Sequence, residues 1–227
     1  MDWFLANAAL VGDLTGRHAV LSAVPIVLGF VLAVPLGVLA FRRRRLRGPL
    51  LAGVGLLYTI PSLALFVLVP PLVGISFLSE LNVVIAMTVY ALALMTRFVT
   101  EALDAVDPAV RDAATAVGHS AWGRFWTVEL PLAGPVLLAG LRVVAVSTVS
   151  MVTVGVLVGI RSLGYLFMDG LQRGIPAEIV TGIIATVVVA LVFDVVLVLL
   201  GRLLLPWSAP RAGRVGRRLQ LTTGAGG

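Results

Sequence analysis

Two charged side chains lie inside long apolar runs of this sequence, where a lone charge is costly and functional candidates concentrate. Arg142 lies in one run, and Asp194 lies in another, VVALVFDVVLVLL. At about 1.5 Å per residue, the two lie at depths of roughly 14 and 16 Å from the same side, so they are predicted to pair. We favour a structural ion pair that locks two helices. A gate or a contact with a solute is the alternative.

A hydroxyl-bearing stripe follows Arg142 in the same run. Ser147, Ser150 and Thr153 recur at every third position. Such a stripe can line a path for a polar solute. It can equally support close helix packing with hydrogen bonds between helices, and the sequence leaves both interpretations open.

An earlier apolar run contains a tyrosine next to a helix-breaking motif. Pro61 removes a backbone donor and is predicted to break or kink the helix between Tyr58 and Ser62. The break would expose polar backbone and present an aromatic ring to a cationic solute. A core tyrosine beside a proline kink is the simpler interpretation. These three residues, with the hydroxyl stripe, are our candidates for a translocation path.

The sequence offers no cluster of the residues that usually perform covalent chemistry. It has no cysteine, and its histidines, His18 and His119, are isolated. Thiolate and clustered imidazole ligands for a metal are therefore excluded. It also lacks the Gly-x4-Gly-Lys-Ser/Thr loop that cradles nucleotide phosphates. We predict no catalytic residues, no metal site and no cofactor bound by this chain.

Composition places these residues in a membrane protein. Hydrophobic residues make up 59% of the 227 positions and charged residues 12%, whereas about a quarter of the residues of a soluble domain are charged. A helix that crosses a bilayer needs about 20 apolar residues. The predicted fold is an all-α integral membrane protein with five transmembrane helices, at about residues 18–41, 50–73, 82–100, 133–158 and 179–205.

The distribution of arginine predicts the orientation of these spans. All 17 basic residues are Arg, and they cluster after the first span, in the 101–132 connection and in the 208–227 tail. By the positive-inside rule these segments are cytoplasmic. The N-terminal segment, 1–17, is then extracytoplasmic, and the Arg/Gly-rich tail is predicted to be disordered and close to lipid. The basic charge therefore does not indicate nucleic-acid binding.

The 101–132 connection contains signals for two short helices. Asp107 and Pro108 are typical of a helix start, and Gly118 suits the left-handed residue that ends a helix. Ser120 can cap a second helix. That helix would carry three aromatic residues on one face, Trp122, Phe125 and Trp126.

The twenty residues DAATAVGHSAWGRFWTVELP, from Asp112 to Pro131, resemble the EAA loop of ABC-importer permeases, E-A-A-x3-G-x9-I-x-L-P. The spacing is complete, with Asp112 for Glu and Val128 for Ile. In that family the loop docks on a separate cytoplasmic ATPase, and we therefore call residues 101–132 the coupling loop. The resemblance implies a type I ABC importer permease fold and a set of ATPase-coupling residues: Asp112, Ala113, Ala114, Gly118, Trp122, Val128, Leu130 and Pro131.

A second segment is similar to the osmoprotectant permeases within that family. The stretch YTIPSLAL, residues 58–65, resembles their T-I-P-S-L-A-L segment, and VDPA and AGLR on either side of the EAA-like motif agree with it. The similarity covers roughly residues 20–205. The sequence departs from the family at 159–164, where GIRSLG replaces the frequent G-A-G-G-L-G in a segment expected to face outside.

The resemblance implies a multi-pass subunit of a bacterial cytoplasmic membrane. Its partners would be ABC ATPase subunits that carry the ATP and Mg, an extracytoplasmic solute-binding protein, membrane lipid, and a second permease copy or a paralogous permease. The implied solute is a quaternary ammonium compound such as glycine betaine, choline or carnitine. A different small zwitterion or amino-acid derivative is the alternative. From other classes, a membrane scaffold that binds a cytoplasmic protein and an ion-coupled carrier also stay open.

Overall fold

The computed structural model describes residues 2–208, which fold into α-helices joined by short turns, with no β-strand in that range. The bounds of the helices are α1 Asp2–Ala6, α2 Ala8–Arg42, α3 Arg44–Thr59, α4 Ser62–Val73, α5 Glu80–Asp104, α6 Pro108–Ala116, α7 Ala121–Arg124, α8 Leu130–Val152, α9 Gly164–Arg173 and α10 Pro176–Leu204. A π-helical turn at Phe125–Glu129 joins α7 to α8, and a 3-10 turn at Thr153–Val158 extends α8.

Four stretches of helix are long and apolar enough to cross a membrane. They are α2, α5, the stretch Ala121–Val158 that contains α8, and α10. The predicted span at 50–73 is divided into α3 and α4, which meet at an angle of 103°. If this bent pair counts as one broken span, the described residues contain five, which agrees with the predicted all-α membrane architecture.

The first long helix begins ten residues before the predicted span. Residues 8–17, predicted to belong to an extracytoplasmic segment, continue α2 without a break. Val11 and Leu14 explain this, because both are buried in a cluster with Val149 of α8 and with Leu163 and Leu166 near α9. Burial of apolar side chains stabilises these extra turns. Residues 209–227, most of the predicted tail, lie outside the described residues.

Helix α5 occupies the centre of the bundle, and α2, α3, α4 and α8 pack around it. Helices α2 and α5 approach closely at Gly29, where an added Cβ would lie 2.4 Å from the Cβ of Ala91. Small residues at such crossings are typical of helix packing in membranes. By contrast, α10 packs mainly on α8 and α9 and leaves most of its apolar surface uncovered.

Candidate coupling surface and membrane path

Helix α6 of the coupling loop has the start and the end that its sequence predicts. The side chain of Asp107 accepts a hydrogen bond of 2.8 Å from the backbone N–H of Ala109, and Pro108 is the first helical residue. After the helix, Gly118 has a φ of +92°. No atom lies within 4 Å of a Cβ added there, so the backbone conformation and not the available space requires glycine.

Helix α7 presents an aromatic cluster. The hydroxyl of Ser120 accepts a hydrogen bond of 3.1 Å from the N–H of Gly123 and caps the helix. The ring centroids of Trp122 and Trp126 are 5.6 Å apart, and those of Phe125 and Trp126 are 5.2 Å apart. Phe125 is buried, whereas Trp122 is 66% exposed and Trp126 is 49% exposed. Two large aromatic side chains therefore remain available to a partner.

The join between α7 and α8 is continuous, whereas the sequence predicts a loop that ends at residue 132. The N–H of Leu130 bonds to the carbonyl of Phe125, five residues back, in a π-helical turn. A proline ring clashes with the carbonyl four residues before it, and the wider π turn relieves that clash for Pro131. The indole of Trp207 donates a hydrogen bond of 3.2 Å to the carbonyl of Pro131. A displacement of α7 would therefore reach α8 directly.

The predicted docking residues do not all lie on the outer surface. Asp112 and Ala113 are exposed, but Ala114 is only 8% exposed. Because α6 packs against α7 and the π turn, one of its faces is covered, and Ala114 lies on that face. Ala113 therefore lies on the outer surface of α6, whereas Ala114 is covered by the protein itself. Val128, Leu130 and Pro131 are half-buried at the base of the loop.

An ion pair that the sequence analysis missed holds the loop together. The Nε of Arg124 donates a hydrogen bond of 2.7 Å to a carboxylate oxygen of Glu129, which is almost fully buried. A second guanidinium nitrogen of Arg124 donates to the hydroxyl of Thr115 on α6 at 2.6 Å. The two charges are five residues apart, a spacing that brings side chains together in a π turn and not in a regular α-helix. The usual helical spacing therefore gives no signal for this pair.

Two further arginines link the loop to the end of α2. The guanidinium of Arg42 lies 5.2 Å from the centroid of the Phe125 ring, and that of Arg111 lies 5.2 Å from the centroid of the Phe41 ring. Both arginines line a cleft of about 920 Å³ between the α2–α3 corner and the coupling loop. Cation–π contacts of this kind fix the guanidinium groups in place. The sequence analysis used arginines such as Arg42 and Arg111 for orientation alone.

Within the apolar spans, the structure joins Arg142 of α8 to Asp194 of α10. Nε donates to Oδ1 at 2.6 Å, and Nη2 donates to Oδ2 at 2.8 Å. This is a bidentate pair, the geometry in which a guanidinium and a carboxylate match best. The side chains are nevertheless 42% and 27% exposed. A cleft of about 390 Å³ lies in front of them, and Ser147 lines it as well.

The break between α3 and α4 is held by a residue that the sequence analysis did not select. Ile60 and Pro61 are extended, and the hydroxyl of Tyr90 on α5 donates a hydrogen bond to the carbonyl of Ile60. The rings of Tyr58 and Tyr90 meet edge to face, with centroids 5.6 Å apart. A tyrosine in the middle of a span needs a partner for its hydroxyl. The position of Tyr90 within an apolar run is therefore the feature of the sequence that indicates its role.

The hydroxyl groups of the stripe, on Ser147, Ser150 and Thr153, lie in different environments. Ser147 lines the cleft of the ion pair and also a small cavity beside Tyr58 and Tyr90. Ser150 is exposed, and the hydroxyl of Thr153 donates to the carbonyl of Ser150 at 2.6 Å. The structure thus brings Ser147 together with Tyr58, while Thr153 satisfies its hydroxyl within its own helix. Pro61 is exposed and Ser62 half-buried at the start of α4.

The segment that departs from the family pattern lies between α8 and α9. Gly159 has a φ of +83°, and it is one of the residues that GIRSLG shares with the common pattern. Ile160 is buried, and the guanidinium of Arg161 lies 5.7 Å from the centroid of the Tyr165 ring. Burial, and then the nearby negative charge of Asp169, raise the pKa of Tyr165, so its ring stays neutral beside the arginine.

The fold is that of the membrane component of an ABC importer. The fold matches that of the inward-facing MetNI methionine ABC transporter with a TM-score of 0.79, over 88% of this chain and 98% of that one, at 21% sequence identity. At this identity the likeness concerns the fold, which is that of type I importer permeases. Residues 26–210 match the family described as "Binding-protein-dependent transport system inner membrane component".

The chain therefore belongs to this family and is a permease subunit, a non-enzymatic inner-membrane component of a binding-protein-dependent ABC importer. Among its relatives, the osmoprotectant import permease protein OsmW of Salmonella typhimurium is 33% identical over 86% of this chain and 91% of the relative. The choline transport system permease protein OpuBD of Bacillus subtilis is 30% identical over 94% and 93%. The carnitine transport permease protein OpuCD of Listeria monocytogenes is 30% identical over 87% of each chain.

Proposed function

We propose that this permease imports quaternary ammonium osmoprotectants, such as glycine betaine, choline or carnitine. One observation carries the proposal. Relatives named for osmoprotectant, choline and carnitine transport align with 86–94% of the chain at 30–33% identity. The aligned length includes both the coupling loop and the polar groups within the spans. The similarity therefore extends over most of the chain and is not limited to one motif.

In this proposal the coupling loop docks on an ATPase subunit. Asp112 would face a basic group of that subunit, and Trp122 and Trp126 would be buried by it. Exposed aromatic side chains of this size are typical anchors of a protein interface. ATP and Mg would bind to the ATPase, and this chain would contribute no cofactor. Closure of the ATPases would move α7, and the π turn would transmit the motion to α8.

The translocation path would form where this chain meets a second permease, either another copy or a paralogue. An extracytoplasmic binding protein would deliver the solute to the face that contains the segment 159–164. The uncovered apolar surface of α10 would contact lipid or the second permease. A different small zwitterion or amino-acid derivative is the second candidate for the solute, because the segment 159–164 departs from the pattern that is frequent among osmoprotectant permeases.

The direct test assembles the transporter and measures whether a solute stimulates its ATP hydrolysis. The chain would be purified with an ABC ATPase and a solute-binding protein and reconstituted in lipid, and ATP hydrolysis would be measured with and without each solute. We expect glycine betaine, choline or carnitine to raise the ATPase rate in the presence of the binding protein. Stimulation by amino acids alone would favour the second candidate. Failure of any ATPase to co-purify would contradict the proposed docking of the coupling loop.

The orientation is tested by reporter fusions. We expect fusions at Gly48 and after Pro206 to report a cytoplasmic position and a fusion at Ser79 to report an extracytoplasmic one, because arginine concentrates on the inner side of membrane proteins. Alkaline phosphatase and green fluorescent protein fusions would provide complementary signals. The reverse pattern would place the coupling loop away from ATP and contradict the proposed docking.

A further inference from the structure

The cleft of about 920 Å³ between the α2–α3 corner and the coupling loop carries an excess of positive charge. Two acidic residues line it, and so do five arginines: Arg42, Arg44, Arg47, Arg111 and Arg124. Arg47 is paired with Asp104, and Arg124 is paired with Glu129. The other three arginines form no ion pair with any described residue. We call this site the arginine cleft, because Asp112 is the one unpaired carboxylate among its described lining residues.

Two of the three unpaired guanidinium groups are held in position by the protein. The group of Arg42 lies 5.2 Å from the centroid of the Phe125 ring, and the group of Arg111 lies 5.2 Å from that of Phe41. Nη2 of Arg111 donates a hydrogen bond of 2.5 Å to the carbonyl of Val106, whereas its Nε is buried and has no acceptor among the described residues. A cation–π contact uses none of the five N–H donors of a guanidinium. Most of the donors therefore stay available to an anion in the cleft.

The unpaired arginines belong to two separate walls of the arginine cleft. Arg42 ends α2 and Arg44 begins α3, whereas Arg111 lies on α6 of the coupling loop. An anion between the walls can accept hydrogen bonds from both. Guanidinium groups match phosphate in particular, because their planar fork of donors bonds to two of its oxygens at once.

The depth of the arginine cleft indicates where such a phosphate comes from. Arg42 is the last residue of α2 and Asp104 is the last residue of α5, and both helices are long and apolar enough to cross a membrane. The cleft therefore lies where two spans end, at the level of the polar headgroups outside the hydrocarbon core. Leu39 and Leu46, on either side of the α2–α3 corner, are 40% and 48% exposed and offer apolar contacts to an acyl chain. Basic pockets between spans on the cytoplasmic side bind anionic headgroups, and the distribution of arginine predicts that this side is cytoplasmic.

We propose that the arginine cleft binds the phosphate of an anionic phospholipid through Arg42, Arg44 and Arg111. The headgroup connects the end of α2 with α6 and so helps to fix the coupling loop relative to the spans. This site goes beyond the import of osmoprotectants and does not depend on which solute is carried. It also differs from the general attraction of a polybasic segment to an anionic membrane, because Arg43 and Arg45 are exposed at the same corner but do not line the cleft.

The test measures binding of phosphatidylglycerol to the purified permease–ATPase complex. Thermal unfolding is recorded in detergent with increasing amounts of phosphatidylglycerol, and the concentration that gives half of the stabilisation is the apparent affinity. The variant Arg42→Gln/Arg44→Gln is compared with Arg43→Gln/Arg45→Gln, which removes the same number of charges from the same short segment. We expect the affinity to fall by about tenfold in the first variant and by less than about threefold in the second. Equal losses would indicate diffuse attraction to a polybasic segment and would overturn the site, as would no loss in either variant.

A further variant tests the second wall of the cleft. Arg111→Gln lies outside the polybasic run, and we expect it to weaken the affinity for phosphatidylglycerol by about fivefold. An unchanged affinity would mean that one headgroup does not connect α2 with α6, and the site as proposed would be wrong.

The contact of Arg42 with Phe125 can affect folding, so a second comparison avoids it. The side chain of Arg44 forms no hydrogen bond, ion pair or ring contact with any described residue. Arg44→Gln should weaken the affinity for phosphatidylglycerol by about threefold, and Arg45→Gln should leave it unchanged. Equal affinities of these two variants would overturn the site in the same way.

Two additional measurements identify the source of the anion. Inorganic phosphate is tested in place of phosphatidylglycerol, and the permease is tested alone as well as in complex with the ATPase. We expect phosphatidylglycerol to stabilise both forms of the wild type and inorganic phosphate to stabilise neither. Equal stabilisation by inorganic phosphate would assign the cleft to a soluble phosphate and not to a lipid. Binding of phosphatidylglycerol to the permease alone, and not to the complex, would show that an acidic group of the ATPase occupies the cleft instead.

Discussion

The coupling loop and the polar cleft of the membrane path are built in different ways. The coupling loop is one continuous stretch of the chain, and its shape depends on local backbone features such as the helix cap at Asp107 and the left-handed Gly118. The cleft and its neighbouring cavity take side chains from four helices, α3, α5, α8 and α10. The loop can therefore fail through a single backbone change, whereas the cleft depends on how the whole bundle packs.

The two regions also differ in how they contact the rest of the transporter. The loop presents exposed rings, chiefly Trp122, and it is attached rigidly to α8 through the π turn and the Arg124–Glu129 pair. The cleft lies further along the same helix, at Arg142. Helix α8 is thus shared by both regions and connects the loop to the cleft. Substitutions in the loop and in the spans should therefore differ in whether they impair coupling or stability.

The largest effect should come from Gly118→Val. A β-branched residue resists the left-handed conformation at a cost of at least about 1–2 kcal/mol, so the turn after α6 should shift and displace the aromatic residues of α7. Uptake and solute-stimulated ATP hydrolysis should fall together by about tenfold or more. The amount of protein in the membrane, measured by immunoblotting, should stay near normal because the spans are unchanged.

The control for this variant is Gly48→Val. Gly48 also has open space around an added Cβ but does not have a positive φ, so valine there should leave coupling nearly unaffected. Wild-type transport by Gly118→Val would show that the turn does not position the docking surface. Equal loss in both variants would indicate a general effect of valine instead of a conformational one.

A smaller effect is expected at the break between α3 and α4. Tyr90→Phe removes the donor to the carbonyl of Ile60, and an unsatisfied buried carbonyl costs about 1–3 kcal/mol. We expect the lower end of this range, because Ile60 is only half-buried. The measurement is the thermal unfolding of the purified protein in detergent. Coupling of ATP hydrolysis to the remaining uptake should be preserved, because the loop is not altered.

The neighbouring ring provides the comparison for this change. Among the described residues, the hydroxyl of Tyr58 has no hydrogen-bond partner, so Tyr58→Phe should change the stability by less than about 0.5 kcal/mol. If the two variants lose equal stability, the hydrogen bond to Ile60 does not hold the break, and the packing of the two rings would explain the bend instead.

The contrast between the regions also explains what the sequence could reveal. The ends of α6, the cap of α7 and the aromatic face follow from residue types a few positions apart, which are readable in one sequence. The pairing of Arg142 with Asp194 is readable because both are charged residues at a similar depth in apolar runs. Tyr90 escaped notice because its partner, Ile60, is thirty residues away and contributes only a backbone carbonyl.

Two features of the loop were not predicted, for physical reasons. The continuous helix from α7 to α8 depends on a π turn that accommodates Pro131, whereas a proline in a sequence usually indicates a boundary. Burial of Ala114 depends on which face of α6 packs against α7, and two adjacent alanines give no sign of that face. In both cases the packing of neighbouring segments determines the structure, and the preferences of the local sequence do not.

The smallest effect should come from Asp112, and it tests whether charge contributes to docking. Asp112 is exposed, and it forms no ion pair with any described residue, so it is free to face a basic group of the ATPase. An exposed ion pair contributes about 0.2–1 kcal/mol. Asp112→Asn should therefore weaken the affinity for the ATPase by no more than about fivefold. Salt screens such pairs, so the loss should disappear when the affinity is measured at high ionic strength.

Glu101→Gln is the control, because it removes an exposed carboxylate before α6, and it should not change the affinity for the ATPase at either ionic strength. Asp112→Lys should weaken binding further, since it places a like charge against the same group. A loss that persists at high salt would mean that Asp112 acts through the shape of α6 and not through its charge.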